Sequence, residues 1–158
     1  MKKLFINDQQ VKDYTHAIIR QMYLNEYKPD LVIGFVRGGC TPANYISQYY
    51  DIPCYMHNKE QEIDYFDKDL RNYFHKDFHH ILVVDDINDT GNALTEFNNA
   101  LFEVQGEDFE VKYGALLTNV GSRFEIDYYG RRINKIDNPC WVVFPWENWW
   151  EVIPSSGD

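Results

Sequence analysis

Two adjacent carboxylates, Asp85 and Asp86, stand between an apolar run and a short polar turn at 89–92. Carboxylates accept hydrogen bonds from vicinal hydroxyls, and they hold Mg²⁺ directly or through water. A turn that opens a helix directs its backbone N–H groups outward, where they can bind a phosphate. Gly91 lets the backbone of this turn approach an anion closely. Paired acids beside a phosphate-binding turn indicate a sugar phosphate as the ligand.

This polar turn requires a strand before it and a helix after it. The branched apolar run at 81–84 predicts a buried strand that ends at the two acids. After the turn, one apolar helix face is predicted from the spacing of Leu94, Phe97, Leu101 and Val104. Gly106 is a natural end for that helix. Because ligands bind beyond the carboxyl ends of strands in an open α/β sheet, the acids are expected at that edge.

Two further helices are predicted from their capping residues. The first has Asn7 or Asp8 as its N-cap and an apolar face made of Val11, Ile18 and Met22. The second has Thr41 as its N-cap and Pro42 at its first helical position, and it extends to about Tyr50.

Strand patterns alternate with these helices. Besides the strand at 81–84, short apolar runs predict strands at 4–6, 31–35, 53–57, 111–117 and 141–144. The alternation predicts an α/β fold with a mainly parallel central sheet and helices on both faces. The length of 158 residues suits one domain, expected to span 1–150 with a short polar tail at 151–158.

Composition narrows the classes of function. The net charge of −10 and the lack of a basic patch disfavour nucleic acid as a partner. The N-terminus turns polar too early for a signal peptide, and no apolar run reaches the ~20 residues that cross a bilayer. Cys40, Cys54 and Cys140 are widely spaced without a CxxC pair, as expected of reduced thiols. These features predict a cytoplasmic enzyme without a membrane partner.

Paired acids after a strand also occur outside sugar phosphate sites. Receiver domains of two-component signalling have such a pair, but near their N-terminus, and too few residues follow Asp86 here for the rest of that fold. No GxxxxGK[ST] motif is present, which disfavours a P-loop nucleotidase. The acids could also serve only to cap a loop.

The stretch Ile81–Leu94 resembles the phosphoribosyl pyrophosphate (PRPP) signature of type I phosphoribosyltransferases. That signature is a strand, two acids, two variable residues, Asp or Thr, Thr or Ser, Gly and a small polar run. The resemblance implies that Asp85 and Asp86 hold the ribose hydroxyls and that Asp89 is the catalytic general base. It implies a 5′-phosphate site made of Asp89, Thr90, Gly91, Asn92 and Ala93. The family usually has Thr at the place of Ala93, and Thr95 is not obviously placed to replace that hydroxyl.

The segment Gly34–Cys40 lies between a predicted strand and a predicted helix. Beside the acid motif, its Arg-Gly-Gly sequence resembles the pyrophosphate loop of the same family, in which a cis non-proline peptide presents backbone N–H groups to the leaving group. The resemblance implies a cis peptide at Val36–Arg37 and pyrophosphate binding by Val36, Arg37 and Gly38. Taken alone, the segment would be an ordinary turn.

The C-terminal run Trp141–Glu147 resembles the xanthine–guanine and hypoxanthine branch of the family. By that resemblance Trp141 stacks on the base, Val142 offers backbone groups to the base edge, and Glu147 joins Asp85 and Asp86 in holding Mg²⁺. The alternative interpretation is that Trp141 is a strand residue packed in the core.

The segment Phe124–Gly130 also resembles this branch, which normally has a base-binding Lys near the end of the preceding strand. The spacing puts Asn119 at that position. Asn can donate or accept, so the identity of the base stays open. A hood that includes the C-terminal segment is expected at about 119–150.

Residues 58–80 are charged and aromatic without a clear period. They are expected to form a flap over the transition state, with a surface excursion as the alternative. His75 and His79 have metal-ligand spacing, but a third ligand is not visible.

The resemblance implies a Mg²⁺-dependent purine transferase that joins a 6-oxopurine to PRPP and releases pyrophosphate, as in nucleotide salvage. Its partners would be PRPP, a nucleobase and further copies of the chain in a dimer or tetramer. Two alternatives stay open: a transferase for another base such as a pyrimidine, and a regulator that binds PRPP or a nucleotide without chemistry.

Overall fold

The computed structural model describes residues 1–58, 78–104 and 109–151, without the side chains of 102–104. Three helices are described: α1 (Asp8–Leu24), α2 (Cys40–Tyr50) and α3 (Asn92–Val104). The described strands are β1 (Lys2–Phe5), β2 (Leu31–Phe35), β3 (Cys54–His57), β4 (His80–Asn88), β5 (Glu110–Asn119), β6 (Tyr128–Ile133) and β7 (Cys140–Val143). Most of the predicted flap, His75, Gly106 and the end of the tail lie outside the described residues.

The central sheet has five strands in the order β3-β2-β4-β5-β6, and every neighbouring pair is parallel. A second sheet consists of β1 and β7, also parallel. The predicted α/β fold is therefore confirmed. None of the described helices is both long and apolar enough to cross a membrane.

Both faces of the central sheet are covered, which explains the unbroken apolar runs of β2 and β4. One face packs against α1 and α2, and its strand residues include Val32, Leu82, Val84 and Leu116. Val142 of the second sheet belongs to the same core cluster. The opposite face carries Leu31, Ile33, Phe35, Ile81 and Val83, which pack against Leu94, Phe97 and Leu101 of α3. The predicted apolar face of α3 is thus confirmed for the three side chains that are described.

Helix α1 begins as predicted. Asn7 is its N-cap, and a capping box joins Asn7 to Gln10 through bonds of 2.8 and 3.0 Å. The predicted residues Val11, Ile18 and Met22 are buried.

Helix α2 begins earlier than predicted. It starts at Cys40 with Gly39 as the N-cap, so Thr41 and Pro42 lie inside the first turn. Pro is tolerated there because the first N–H groups of a helix have no partner within it. Gly39 makes no side-chain cap bond, so a cap assignment based on Thr41 missed the boundary.

Two strand predictions also need correction. Strand β4 does not end at the acids but continues to Asn88, because Asp85 pairs with Ala115 and Asn88 with Thr118 of β5. Strand β6 was not predicted. Its sequence YYGRRI exposes Arg131 and Arg132 at the edge of the sheet, so it lacks the apolar run that identifies the buried strands.

Candidate active site

Two loops meet at the carboxyl edge of the central sheet. Strand β2 leads into the loop at 36–39, and β4 leads into the turn at 89–91. Because β2 and β4 are parallel neighbours, the two loops emerge side by side. The predicted pyrophosphate and 5′-phosphate segments are therefore brought together by the topology of the sheet.

The first of these loops contains a cis peptide bond at Val36–Arg37, as predicted. The Val36 amide donates to the carbonyl of His57 at 2.8 Å, and the Gly39 amide donates to that of Phe35 at 2.8 Å. These bonds attach the loop to β2 and β3, and the side chain of Arg37 remains exposed. A cationic side chain thus projects from a fixed backbone loop.

Gly38 allows this loop to contact β4. A Cβ atom at Gly38 would overlap Oδ2 and Cγ of Asp86. Any other residue here would have to displace the Asp86 carboxylate, so the glycine allows the close approach of the loop to Asp86.

The two acids differ in environment. Asp85 is only 3% exposed, and its Oδ1 accepts the Asp86 amide at 2.9 Å. Asp86 is partly exposed, and its Oδ1 accepts the Ile87 amide at 2.8 Å. Because successive strand residues point to opposite faces, Asp86 points toward the loop at Gly38 and Asp85 toward the opposite face of the sheet.

Two titratable side chains near this edge are kept neutral. Burial raises the pKa of the Cys40 thiol, and the negative charges of Asp85 and Asp86 raise it further, so Cys40 is not a thiolate nucleophile. Burial lowers the pKa of His57 to about 4, and its ring packs 5.5 Å from that of Phe35. Both side chains are therefore uncharged near neutral pH.

The turn at 89–91 leads directly into α3. Gly91 has φ of 83°, and a Cβ there would lie 2.6 Å from the amide nitrogen of Phe124. The Thr95 hydroxyl donates to the Gly91 carbonyl at 2.6 Å, so its donor is engaged within the helix. A phosphate at this turn would depend on backbone N–H groups and the exposed Thr90.

Asn88 attaches the loop after β5 to this turn. Its amide donates to Thr118 Oγ1 at 3.1 Å and to the Phe124 carbonyl at 2.9 Å, and its Oδ1 accepts from Ser122 Oγ at 2.7 Å. Asn88 is 2% exposed. Sequence reasoning missed this residue because it occupies a variable position of the motif.

Asp89 is the centre of a second polar network. Its Oδ2 lies 2.5 Å from the ammonium of Lys135, and its Oδ1 accepts from the amide of Asn119 at 3.1 Å. Asn119 Oδ1 in turn accepts from the backbone N–H of Lys135 at 3.1 Å. The predicted residues Asp89 and Asn119 are therefore in contact.

Lys135 was missed by the sequence analysis. It lies 46 positions from Asp89, and it follows β6, the strand that was not predicted. Its side chain is 20% exposed and that of Asp89 is 38% exposed, so the ion pair is partly shielded from water. A cation thus stands next to the predicted general base.

The predicted base-stacking segment lies on the second sheet. Trp141 pairs with Lys3 and is 56% exposed. The alternative interpretation of Trp141 as a strand residue packed in the core is therefore wrong. Val143 accepts the Ile6 amide at 2.9 Å. Because neighbouring residues of a strand direct their backbone groups to opposite edges, those of Val142 point away from β1.

Trp141 and Glu147 line one cavity of about 890 Å³ beside the second sheet. Oε1 of Glu147 accepts the Phe144 amide at 3.1 Å and so caps its own turn. Within the described residues, no three His, Cys, Asp or Glu side chains converge as a metal site. The three predicted Mg²⁺ ligands, Asp85, Asp86 and Glu147, therefore do not form one cluster.

Comparison with known proteins agrees with this geometry. The sequence profile of the phosphoribosyl transferase domain matches residues 6–150. The chain is 28% identical to the purine phosphoribosyltransferase of Pyrococcus horikoshii, with a TM-score of 0.66 over 93% of this chain and 95% of that one. The xanthine-guanine-hypoxanthine phosphoribosyltransferase of Helicobacter pylori has a TM-score of 0.72 at 20% identity, over 94% of both chains.

A solved structure that is less similar to this chain belongs to a transferase named for a different base. The orotate phosphoribosyltransferase of Aeropyrum pernix has a TM-score of 0.52 at 16% identity, over 75% of this chain and 68% of that one. Among curated protein sequences, none matches this chain.

The profile match spans nearly the whole chain, so the chain belongs to the phosphoribosyltransferase family. It is an enzyme of the type I fold, and its structural neighbours include members of the xanthine–guanine and hypoxanthine branch.

Gly38→Ala tests the contact between the loop and Asp86. The added methyl group overlaps the Asp86 carboxylate, and relieving such overlap costs about 1–3 kcal/mol, so we expect PRPP affinity to fall about tenfold or more. Gly114→Ala is the control, because its nearest neighbour would be 3.6 Å away. Calorimetry measures the PRPP affinity of both variants. An unchanged affinity for Gly38→Ala would show that this loop does not contribute to PRPP binding.

Asn88→Leu tests the buried amide network. The change removes the donor to the Thr118 hydroxyl and leaves the Phe124 carbonyl with the longer bond of 3.4 Å from Ser122 Oγ. The free energy of unfolding should therefore fall by about 1–3 kcal/mol. Asn99→Leu, on the exposed face of α3, should leave it nearly unchanged. Urea denaturation measures both, and equal stabilities would show that Asn88 does not anchor the loop.

Proposed function

We propose that the protein transfers the phosphoribosyl group of PRPP to a 6-oxopurine such as hypoxanthine, guanine or xanthine, and releases pyrophosphate. The observation that carries the proposal is the position of Asp89. Its carboxylate is fixed by Asn119 and Lys135 at the turn that would bind the 5′-phosphate. A proton acceptor is thus placed beside a phosphate site at the carboxyl edge of the sheet.

PRPP would bind along this edge. The 5′-phosphate rests on the turn made of Asp89, Thr90, Gly91, Asn92 and Ala93, where backbone N–H groups supply the donors. Asp85 and Asp86 hold the ribose hydroxyls. The pyrophosphate lies on the loop made of Val36, Arg37 and Gly38, and the Arg37 guanidinium balances part of its charge.

The reaction forms a bond between a base nitrogen and C1 of the ribose and breaks the bond from C1 to the pyrophosphate oxygen. Positive charge develops on the sugar, as in glycoside hydrolysis. The Asp89 carboxylate accepts or shares the proton of the purine, and the electron pair of the broken bond leaves with the pyrophosphate. Placing charge and donors around these groups is the main catalytic task.

The base would stack on the exposed ring of Trp141, which accepts any planar heterocycle. The backbone groups of Val142 that point away from β1 are available to the base edge. Asn119 contributes by holding the Asp89 carboxylate in place. Because stacking does not discriminate between bases, the preference for a purine over a pyrimidine is supported by the similarity to the purine phosphoribosyltransferase described above.

Mg²⁺ fits the donor set when PRPP supplies most of the ligands. Mg²⁺ commonly binds through one or two carboxylates together with substrate phosphates and water, and Asp85 and Asp86 offer two carboxylates at the right edge. Glu147 would then act through water. The metal would supply charge neutralisation of the pyrophosphate.

A panel of bases tests the proposal. With PRPP and Mg²⁺, we expect pyrophosphate release with 6-oxopurines and little with orotate or uracil. Asp89→Asn should lower kcat roughly 10²-fold or more, the loss typical of a missing general base, while PRPP affinity largely survives.

The contrary results are distinct. Turnover of a pyrimidine only would make the chain a transferase for that base. PRPP binding without turnover of any base would make it a regulator. A normal kcat for Asp89→Asn would show that Asp89 is a structural residue of the turn and not the general base.

Removal of metal tests the role of Mg²⁺. Because the pyrophosphate is highly charged and only Arg37 opposes it on the described loop, PRPP should bind much more weakly in the presence of a chelator. Calorimetry with and without Mg²⁺ measures the difference in PRPP affinity. Equal affinities would show that PRPP binding does not depend on Mg²⁺.

A further inference from the structure

A second cavity lies between the edge of the central sheet and the second sheet. Its volume is about 280 Å³, and it is lined by β6 and the turn after it on one side and by β1 and β7 on the other. Of the described residues that line it, none was assigned above to PRPP or to the base. This cavity is therefore separate from the candidate active site.

The second cavity and Trp141 lie on opposite faces of the second sheet. Lys2 and Cys140, which pair with each other, line the second cavity. The next pair along the ladder, Lys3 and Trp141, lines the larger cavity instead. Because successive strand residues point to opposite faces, a ligand in the second cavity would not reach the ring of Trp141.

Three cationic side chains line the second cavity: Lys2, Arg131 and Arg132, all of them exposed. Among the described residues, none of the three has an ion-pair partner. The acid on the adjoining turn, Asp137, accepts a hydrogen bond from the Asn134 amide at 2.7 Å. In a chain of net charge −10, this cavity is a local concentration of positive potential.

The donors of this cavity are available to a ligand. The guanidinium carbon of Arg132 lies 5.0 Å from the ring centroid of Tyr129, and a guanidinium over an aromatic face keeps its N–H groups free at the edge. Asn138 also lines the cavity, and its exposed side chain makes no hydrogen bond within the described part of the chain. It adds a neutral amide donor to the three cations.

The floor of the second cavity is apolar. Ile133 is 8% exposed, and Leu4 and Cys140 pack against the same core cluster as Ile133. No carboxylate or imidazole is present among the described lining residues, so the cavity lacks the usual groups for general acid or base chemistry. A cationic rim above an apolar floor is therefore suited to binding a ligand and not to converting it.

We propose that this cavity binds a small organic phosphate, whose phosphate group is held by Lys2, Arg131 and Arg132. The organic part would lie on Leu4 and Cys140. A phosphate monoester carries a charge of about −1.5 to −2 and three strong acceptor oxygens, which match several cationic donors better than a single carboxylate does. The volume of about 280 Å³ suits a small molecule, and the net charge of −10 disfavours an extended polyanion such as nucleic acid.

Protection of the sheet edge is the simpler explanation for part of this pattern. Charged side chains on an edge strand prevent its pairing with another chain, and Arg131 and Arg132 lie on the edge strand β6. That role requires no charge on β1 and no amide donor after β6. It does not explain why Lys2 and Asn138 line the same cavity.

Two-dimensional NMR of the isotope-labelled protein tests the proposal. Inorganic phosphate and phenyl phosphate, each titrated at constant ionic strength, should give saturable shifts of the backbone amides at 131–134. Because a phenyl ring can cover the apolar floor, we expect phenyl phosphate to bind about 3- to 10-fold more tightly than inorganic phosphate. The amides at 89–92 report separately on the proposed 5′-phosphate site.

Matched variants test the role of the cations. Arg131→Gln together with Arg132→Gln removes two charged donors and should raise the Kd for phenyl phosphate roughly tenfold or more. Lys2→Gln, outside the central sheet, should raise this Kd as well. Lys12→Gln together with Arg20→Gln removes two exposed cations of α1 that do not line the cavity. This control should change the Kd by less than about twofold, because solvent and salt screen distant charges.

Four results would overturn the proposal. They are the absence of shifts at 131–134, an equal loss of affinity in the α1 control, binding of succinate as tightly as phenyl phosphate, and binding of inorganic phosphate as tightly as phenyl phosphate. The last result would make this a site for free phosphate.

The test also separates this site from the proposed function. Shifts confined to the amides at 89–92 would overturn the second site and leave the proposed function standing. Thermal unfolding identifies any variant that has lost its fold. If the double arginine variant does not fold, Lys2→Gln decides, and an unchanged Kd for that variant would overturn the proposal.

Discussion

The register between β4 and β5 is the constraint on which the site depends. Asn88 lies opposite Thr118 in the parallel ladder. The residues that follow them in the chain, Asp89 and Asn119, are therefore close to each other. Their side chains meet at 3.1 Å. A slip of one residue would send the side chains of one strand to the opposite face, so the contact between Asp89 and Asn119 requires the whole pairing of the two strands. The buried bond from Asn88 to Thr118 stabilises that register from within the sheet.

An acidic protein that binds a highly charged anion must concentrate its positive potential locally. The net charge is −10, and the cations near the proposed site include Arg37 on the loop after β2 and Lys135 after β6. They are placed differently: Arg37 is exposed, whereas Lys135 is paired with Asp89 and largely shielded. In the proposed scheme, backbone N–H groups at the start of α3 would complete the anion site without adding charge. The surface could then remain acidic while the carboxyl edge of the sheet attracts phosphate.

Several elements could be predicted because their signals are local. The run Leu31–Phe35 and the cap at Asn7 follow from residues within a few positions of one another. The cis peptide at Val36–Arg37 was expected from the resemblance of one short segment to the family's pyrophosphate loop. The start of α2 and the length of β4 were misjudged because a glycine without a side-chain bond caps the helix and pairing with β5 extends the strand past its apolar residues. Strand β6 was missed because an exposed edge strand lacks the apolar pattern on which strand prediction relies.

By itself the sequence determined the class of fold, the carboxyl-edge acids and the turn beside them, because a periodic apolar pattern and a short motif encode these over neighbouring positions. Only the tertiary structure decided which side chains surround Asp89. Lys135 reaches it across 46 positions, through a strand order that places β4, β5 and β6 side by side. The same holds for Trp141, whose exposure depends on the pairing of β7 with β1 at the other end of the chain. Contacts between distant segments follow from sheet pairing and burial of the whole core, and no local pattern of residues contains that information.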